Sequence, residues 1–263
     1  MPDLLSKYEA GFRGRHILSS NGPKPAPRKF DRSGNIKPFY GLTCIAWINQ
    51  ESELFQELCN LQDTIRRDLR EARSGDVFAF LRPESFHMTI CDVVASSNPI
   101  QSEHACVLIE QVRAAFEQIG KPGKVTSQIK GIGLTSTITA LVRFSSELEL
   151  KKVLAMEGEI KWAVRQSPNF RDLEGHISFR PFAGHISLAY CVQDPGDEKA
   201  AKIKDTLFPH RDKDSGVFRF SQFDLTCFTD MNTYIPLLTI NLDEGKVTNH
   251  HRIGECQTHE VTP

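Results

Sequence analysis

Two tripeptides carry an imidazole and a hydroxyl two residues apart: His87-Met88-Thr89 within PESFHMTICDVV, and His185-Ile186-Ser187 within EGHISFRPFAGHISLAY. On an extended strand residues i and i+2 share a face, so His87 and Thr89 point together while Phe86, Met88 and Ile90 point the other way. By the same alternation His185 and Ser187 share a face, with Ile186, Leu188 and Tyr190 on the opposite one. Such a pair suits a phosphoryl group, because the ring can move a proton while the hydroxyl donates to a phosphoryl oxygen. Two pairs facing one another supply an acid and a base. A third tripeptide, His176-Ile177-Ser178, has the same form but is cut off by Pro181 and preceded by the charged FRDLEG. That leaves too little apolar sequence for a central strand. His176 is expected on a short edge strand or loop near the site, as a substrate contact or a surface residue, and not as a working ring.

A single His-x-Ser/Thr is weak information, since a lone strand histidine is ordinarily a hydrogen-bonded structural residue. The pair is stronger because both members begin apolar strand-like runs and lie 98 residues apart, enough for one lobe between them. The intervening pattern supports this. FYGLTCIAWI reads as a buried strand, and ESELFQELCNLQDTIRRDLREAR spaces Leu54, Leu58, Leu61, Ile65 and Leu69 as one face of a helix. Short strands follow at VFAFL and SFHMTICDVV, then a helix from Ser102 to about Ile119 that stops at KPGK. The order comes round again with VTSQIKGIGL and STITALVRF as strands, a helix over 146–166, a charged linker and the strand GHISLAYCV. DEKAAKIKDTLF reads as a last helix, and VFRFSQFDLTCFT and YIPLLTINL as closing strands, Pro236 favouring an edge or a strand start. No Gly-rich phosphate loop follows the first strand. Antiparallel-type strands mixed with helices therefore predict an α+β fold. Residues 1–38 read as a basic Pro/Gly-rich arm, 39–242 as the domain, and 243–263 as a polar, frayed tail.

Composition narrows the function class. With 40% hydrophobic and 25% charged residues the chain is globular, and no run approaches the ~18 apolar residues of a membrane span. The N-terminal stretch lacks the apolar core of a secretory signal, since Lys7, Glu9, Arg13 and Arg15 interrupt it. The seven cysteines form no CxxC, and Cys44, Cys91, Cys191 and Cys227 lie in apolar strands, which suits free thiols in a cytoplasmic protein. A net charge of −1 offers no field for long nucleic acid, although residues 1–38 hold eight Lys or Arg against three acids. His250, His251, Cys256 and His259 cluster near the C-terminus, but their irregular spacing in a polar tail predicts no metal site.

The stretches FHMTI and FRPFAGHISLAY resemble the two motifs of the 2H phosphoesterase superfamily, which includes RNA ligase-like and cyclic phosphodiesterase-like enzymes. The likeness runs from about Phe39 to Leu242, and KFDRSGNIKPFYG is similar to the lead-in of a longer branch. It implies two pseudo-symmetric lobes, each an antiparallel sheet backed by helices, around a central groove. It also implies metal-free, cofactor-free hydrolysis of a cyclic phosphodiester of the 2',3' type on a nucleotide or RNA 3' end. His87 and His185 then act as general acid and base, and Thr89 and Ser187 hold the non-bridging oxygens. Near their reference pKa of ~6.5 both protonation states are expected at neutral pH. Many relatives carry Arg or Lys where this chain has Tyr190, leaving Arg180, Arg82 and Lys130 as cations that could serve instead. Tyr40, Phe86, Arg180, Phe182, Tyr190 and His176 are candidate substrate contacts, the aromatic rings as stacking faces for a base. Trp47 and Phe86 also read as core residues. A monomer is expected, with no membrane partner. The alternative is a module that binds nucleotides or RNA ends in the same groove without turnover.

Overall fold

The computed structural model describes residues 3–15, 22–173, 175–177 and 181–250. In chain order the elements are α1 (Leu4–Arg15), β1 (Tyr40–Trp47), α2 (Glu53–Glu71), β2 (Phe78–Phe80), β3 (His87–Ser96), α3 (Ser102–Ile119), β4 (Val125–Leu134), β5 (Thr137–Phe144), α4 (Glu147–Arg165), α5 (Phe170–Leu173), β6 (His185–Cys191), α6 (Gly196–Leu207), β7 (Asp214–Phe220), β8 (Gln222–Phe228), β9 (Tyr234–Asn241) and β10 (Lys246–Asn249). The fold is α+β. All the strands join one antiparallel sheet in the order β10-β9-β8-β1-β3-β6-β5-β4-β7, with β2 paired to β6.

The helices α2, α3, α4 and α6 form where the sequence pattern places them. Leu54, Leu58, Leu61, Ile65 and Leu69 of α2 are buried as one stripe, and the Ser52 hydroxyl caps the helix by accepting from the Phe55 N–H at 3.2 Å. Ser146 caps α4 in the same way, through the Glu149 N–H at 3.3 Å. These helices bury one face of the sheet in a single core that runs through both of its halves, from Leu42 and Met88 to Ile138 and Ile186.

The expected lobes are not consecutive stretches of chain. One half of the sheet holds β1, β3, β8, β9 and β10, and the other β4, β5, β6 and β7. The helices cross between them: α2, which follows β1, packs against β7, and α4, which follows β5, packs against β3 and α3. Each half thus takes part of its cover from the other, which ties them into one body. The halves meet at the pair Met88↔Ile186. Beyond it β6 takes β2 as its neighbour, along Ala189↔Phe80 to Cys191↔Phe78.

Two terminal expectations change. The segment 1–38 includes the helix α1, and residues 22–39 dock on the sheet through Phe30 and Phe39, both buried. Residues 246–249 form β10 against β9, so the polar pattern after 243 does not mean fraying there. Pro236 lies ahead of the stretch of β9 that β10 covers, Leu238 to Asn241, so its missing N–H costs the sheet no bond on that side. Among the described residues, no helix is long and apolar enough to cross a membrane.

Candidate active site

The two motifs occupy adjoining strands where the halves meet. Met88 and Ile186 face the helices and are fully buried. Alternation then puts His87, Thr89, His185 and Ser187 on the other face, away from the helices, each about half-buried.

Both rings are held by the same device. His87 Nδ1 lies 2.7 Å from the Ser85 carbonyl and His185 Nδ1 lies 2.6 Å from the Ala183 carbonyl. A carbonyl oxygen only accepts, so Nδ1 carries the proton in both rings and Nε2 is the nitrogen that exchanges one. The walls differ. Tyr234 stands edge-on to His87 with ring centroids 4.7 Å apart, and Trp47 does so at 5.9 Å. The Trp47 indole N–H donates to Asp224 at 2.8 Å, and the Thr239 hydroxyl donates to the other oxygen of that carboxylate. On the second strand, Gly184 precedes His185, and its N–H donates to the Tyr8 hydroxyl at 3.1 Å, which in turn donates to the Val142 carbonyl at 3.1 Å. A Cβ at Gly184 would lie 2.6 Å from that hydroxyl and 3.0 Å from Val142, so only glycine fits under the helix α1.

Two β-bulges decide what else shares this face. In β3 the register passes from Ile45↔Thr89 to Cys44↔Cys91, so Ile90 is the extra residue and Asp92 turns to the histidine side opposite Thr43. In β6 it passes from Thr139↔Ser187 to Ile138↔Ala189 and Thr137↔Tyr190, so Leu188 is the extra residue. Plain alternation puts Tyr190 with Ile186 and Leu188; the bulge moves it to the side of His185 and Ser187.

Electrostatics follow from this packing. Burial is the main cause that pushes the His87 pKa down, to about 4; His185 and Lys29 add to the fall, while the Ser85 carbonyl and Asp92 oppose it. His185 is also lowered, first by burial and then by Lys29, against the Ala183 carbonyl and Asp92. The expectation that both rings titrate near ~6.5 is therefore corrected. Desolvation of the charged form wins in each. Burial likewise raises the Tyr234 phenol well above its usual value, helped by Tyr190 and Asp92.

A family described as 2H-phosphodiest, a domain of unknown function (DUF1868), matches residues 29–103, a span that includes the first motif. Among solved structures, a conserved protein of unknown function from Agrobacterium tumefaciens is 17% identical with a TM-score of 0.55, over 84% of this chain and 95% of that one. The protein TT0787 of Thermus thermophilus is 13% identical with a TM-score of 0.52, over 78% and 98%. Escherichia coli LigT, solved with 3'-AMP, is 11% identical with a TM-score of 0.51, over 78% and 99%. No curated protein matches the sequence. The chain shares its fold with these three structures, and its first motif lies in the stretch that matches the 2H-phosphodiest family.

The remaining candidates scatter around this site. Phe86 is 1% exposed and packs against Phe55 in the helix-side core. Phe182 stacks on Tyr8 at 6.0 Å and its N–H is bound by Glu157, so it too faces the helices. Tyr40 begins β1 opposite Ser96, at the end of the pair remote from His87. His176 is exposed, and its carbonyl accepts from the Ala95 N–H at 2.9 Å near the far end of β3. Arg180, Ser178 and the tail residues His251, Cys256 and His259 lie outside the described residues. Arg82 is exposed after β2, and Lys130 is exposed on β4. Neither is the cation beside Tyr190. That place belongs to Lys29, whose Nζ donates to the Tyr190 hydroxyl at 3.0 Å.

Lys29, Asp92 and Tyr234 are therefore site neighbours that the sequence reading missed, while Trp47, a candidate aromatic face that also reads as core, stands against His87. For Lys29 a signal existed, because Phe30 beside it is out of character in a basic Pro/Gly-rich arm. For Asp92 none did, since strict alternation assigns it to the other side.

Proposed function

We propose that this protein is a phosphodiesterase that opens a cyclic phosphodiester, of the 2',3' type, on a nucleotide or an RNA 3' end, without a cofactor. The observation that carries this reading is the pairing of His87-Thr89 with His185-Ser187 on one face of adjoining strands, each ring fixed through Nδ1 so that Nε2 works. One Nε2 takes a proton from water as its oxygen bonds to phosphorus. The other gives a proton to the ribose oxygen as the P–O bond to it breaks. The product is a phosphomonoester, and the rings have exchanged protonation states, to be reset by solvent. Thr89 and Ser187 donate to the non-bridging oxygens while phosphorus is five-coordinate.

The lowered pKa values fit this cycle once substrate is counted. At a pKa of about 4, roughly one His87 ring in a thousand is protonated at pH 7. An anion bound between the rings favours the charged form, supplying the acid only when substrate is present. The 3'-AMP bound by E. coli LigT is a ribose phosphomonoester, the kind of product that opening a 2',3'-cyclic phosphate at O2' leaves.

The test is a panel of 2',3'-cyclic nucleotides, RNA ends with a cyclic phosphate, ADP-ribose cyclic phosphate and cyclic oligonucleotides, incubated with chelator. Phosphorus NMR then locates the phosphate in each product. Turnover of a cyclic phosphate that His87→Ala abolishes is the expected result. Tight binding without turnover would replace the reading with that of a nucleotide or RNA-end binding module.

A further inference from the structure

Residues 22–39 do more than lie on the domain. The Ala26 N–H donates to the Cys191 carbonyl at 2.8 Å, and the Lys37 N–H donates to the Lys29 carbonyl at 2.9 Å across a turn closed by the bridge Phe30↔Ile36. Phe30 packs on Tyr190 with ring centroids 5.3 Å apart, and Phe39 stacks on Phe228 at 5.8 Å. Together with Leu81, Val192 and Met231 these rings form a second, smaller core on the face that bears the histidines.

The Lys29 ammonium is held on this platform. It lies 4.6 Å from the Tyr190 ring centroid and 5.4 Å from that of Phe39, and it donates one hydrogen bond, to the Tyr190 hydroxyl. Among the described residues no carboxylate comes within ion-pair distance of it. A half-buried ammonium has three donors, and among the described residues the Tyr190 hydroxyl is the one acceptor it reaches. Lysine is strongly hydrated and costly to bury without a counterion. Two aromatic faces and a phenol stabilise such a charge but do not neutralise it.

We propose that Lys29 is the phosphate-binding cation of this site, carried in by the N-terminal arm and held there by the arm's apolar platform. This rests on the reading of the histidine face as a phosphate site. Tyr190, turned to that face by the bulge at Leu188, is the post that fixes the ammonium. The charge reaches both rings, since Lys29 lowers His87 and His185 alike. The other titratable groups that act on those rings or on Tyr234 are Asp92 from β3, Asp230 from the β8–β9 turn, Tyr190 from β6 and the two histidines themselves.

The experiment compares wild type, Lys29→Met and Lys29→Arg. Binding of inorganic phosphate and of 3'-AMP is followed by NMR of the histidine rings, with no need for turnover. Wild type should bind both, Lys29→Met should bind about 10- to 100-fold more weakly, and Lys29→Arg should keep most of the affinity. Without ligand, both ring pKa values should rise in Lys29→Met, because a cation that lowers them has gone. A lysine that only packs on the platform would leave phosphate affinity unchanged in Lys29→Met even as the ring pKa values rise. Equal phosphate affinity in all three proteins, or no binding to the wild type, overturns the proposal. Lys29-dependent binding with no hydrolysis of any cyclic phosphate leaves it standing and removes the proposed phosphodiesterase instead.

Discussion

The two motifs share a scaffold and differ in their surroundings. In each, a strand begins at a histidine whose Nδ1 is tied to the carbonyl two residues back. Around His87, the walls come from within the sheet: Trp47 on β1, Tyr234 on β9, and Asp224 on β8 behind the indole. Around His185, support comes from the first 39 residues, with the Tyr8 hydroxyl holding Gly184 and Lys29 held by Tyr190. The chemistry is thus built symmetrically and supported asymmetrically. One ring depends on the packed strands, the other on a segment that the sequence reads as a basic Pro/Gly-rich arm.

The symmetric part predicts the largest effects. His87→Ala and His185→Ala should each lower kcat by at least about 100-fold, since a positioned proton transfer contributes ~10²- to 10⁴-fold. The double variant should be little worse than the singles, because two halves of one proton relay are not additive. Steady-state rates for the three proteins check this, and a single variant that keeps more than a tenth of wild-type activity would break the symmetry. Thr89→Val and Ser187→Ala should cost less, about 10-fold each, as single hydrogen bonds to a charged oxygen do.

Much of this arrangement was legible in the sequence, and the failures have a common cause. The strand and helix pattern is written in periodicities of 2 and 3.6, so α2 and β3 fall where the apolar residues place them. The two working histidines follow from their strand context, and His176 is set apart by Pro181. A bulge breaks period 2 without leaving a residue-type signal, which is why alternation puts Tyr190 on the wrong face and gives no sign of Asp92 beside the histidines. The interleaving of the halves is a long-range fact that no local pattern encodes. Lys29 was hidden differently: Phe30 is the one aromatic in its stretch up to Pro38, so mean composition reads as loop while that ring and Phe39, at the start of the domain, supply the docking.

The asymmetric part predicts smaller, separable effects. Replacing Tyr234 with Leu should open the wall on His87 and raise its pKa toward the ordinary value while leaving His185 nearly unmoved, as read by NMR titration of the two rings. The low value also has a cost in acid. Folded His87 has a pKa of about 4 against ~6.5 unfolded, so between those values the unfolded chain binds the additional proton and stability falls as pH drops. The loss is about 1–3 kcal/mol across that window. His87→Gln should flatten this part of the stability profile in urea titrations at pH 7 and 4.5, and an unchanged slope would mean that carboxylates alone set it.

The smallest expected mutational effect on the site belongs to the side that leans on α1. Tyr8→Phe keeps the ring stacked on Phe182 but removes the hydroxyl that accepts from Gly184 and donates to Val142. Both backbone groups are partly buried, so the loss is on the order of 1–2 kcal/mol of stability. Activity should change by only a few fold, with kcat falling more than KM rises, because the strand start at Gly184 sets where the His185 ring points. If symmetry of support were the rule, an equally mild substitution at Trp47 would behave alike. Instead Trp47→Phe removes the donor to a buried carboxylate, Asp224, whose pKa is already raised by burial. It should therefore cost more stability at pH 7 than Tyr8→Phe, and chemical denaturation of the two variants side by side decides whether the halves are as unequal as their neighbours suggest.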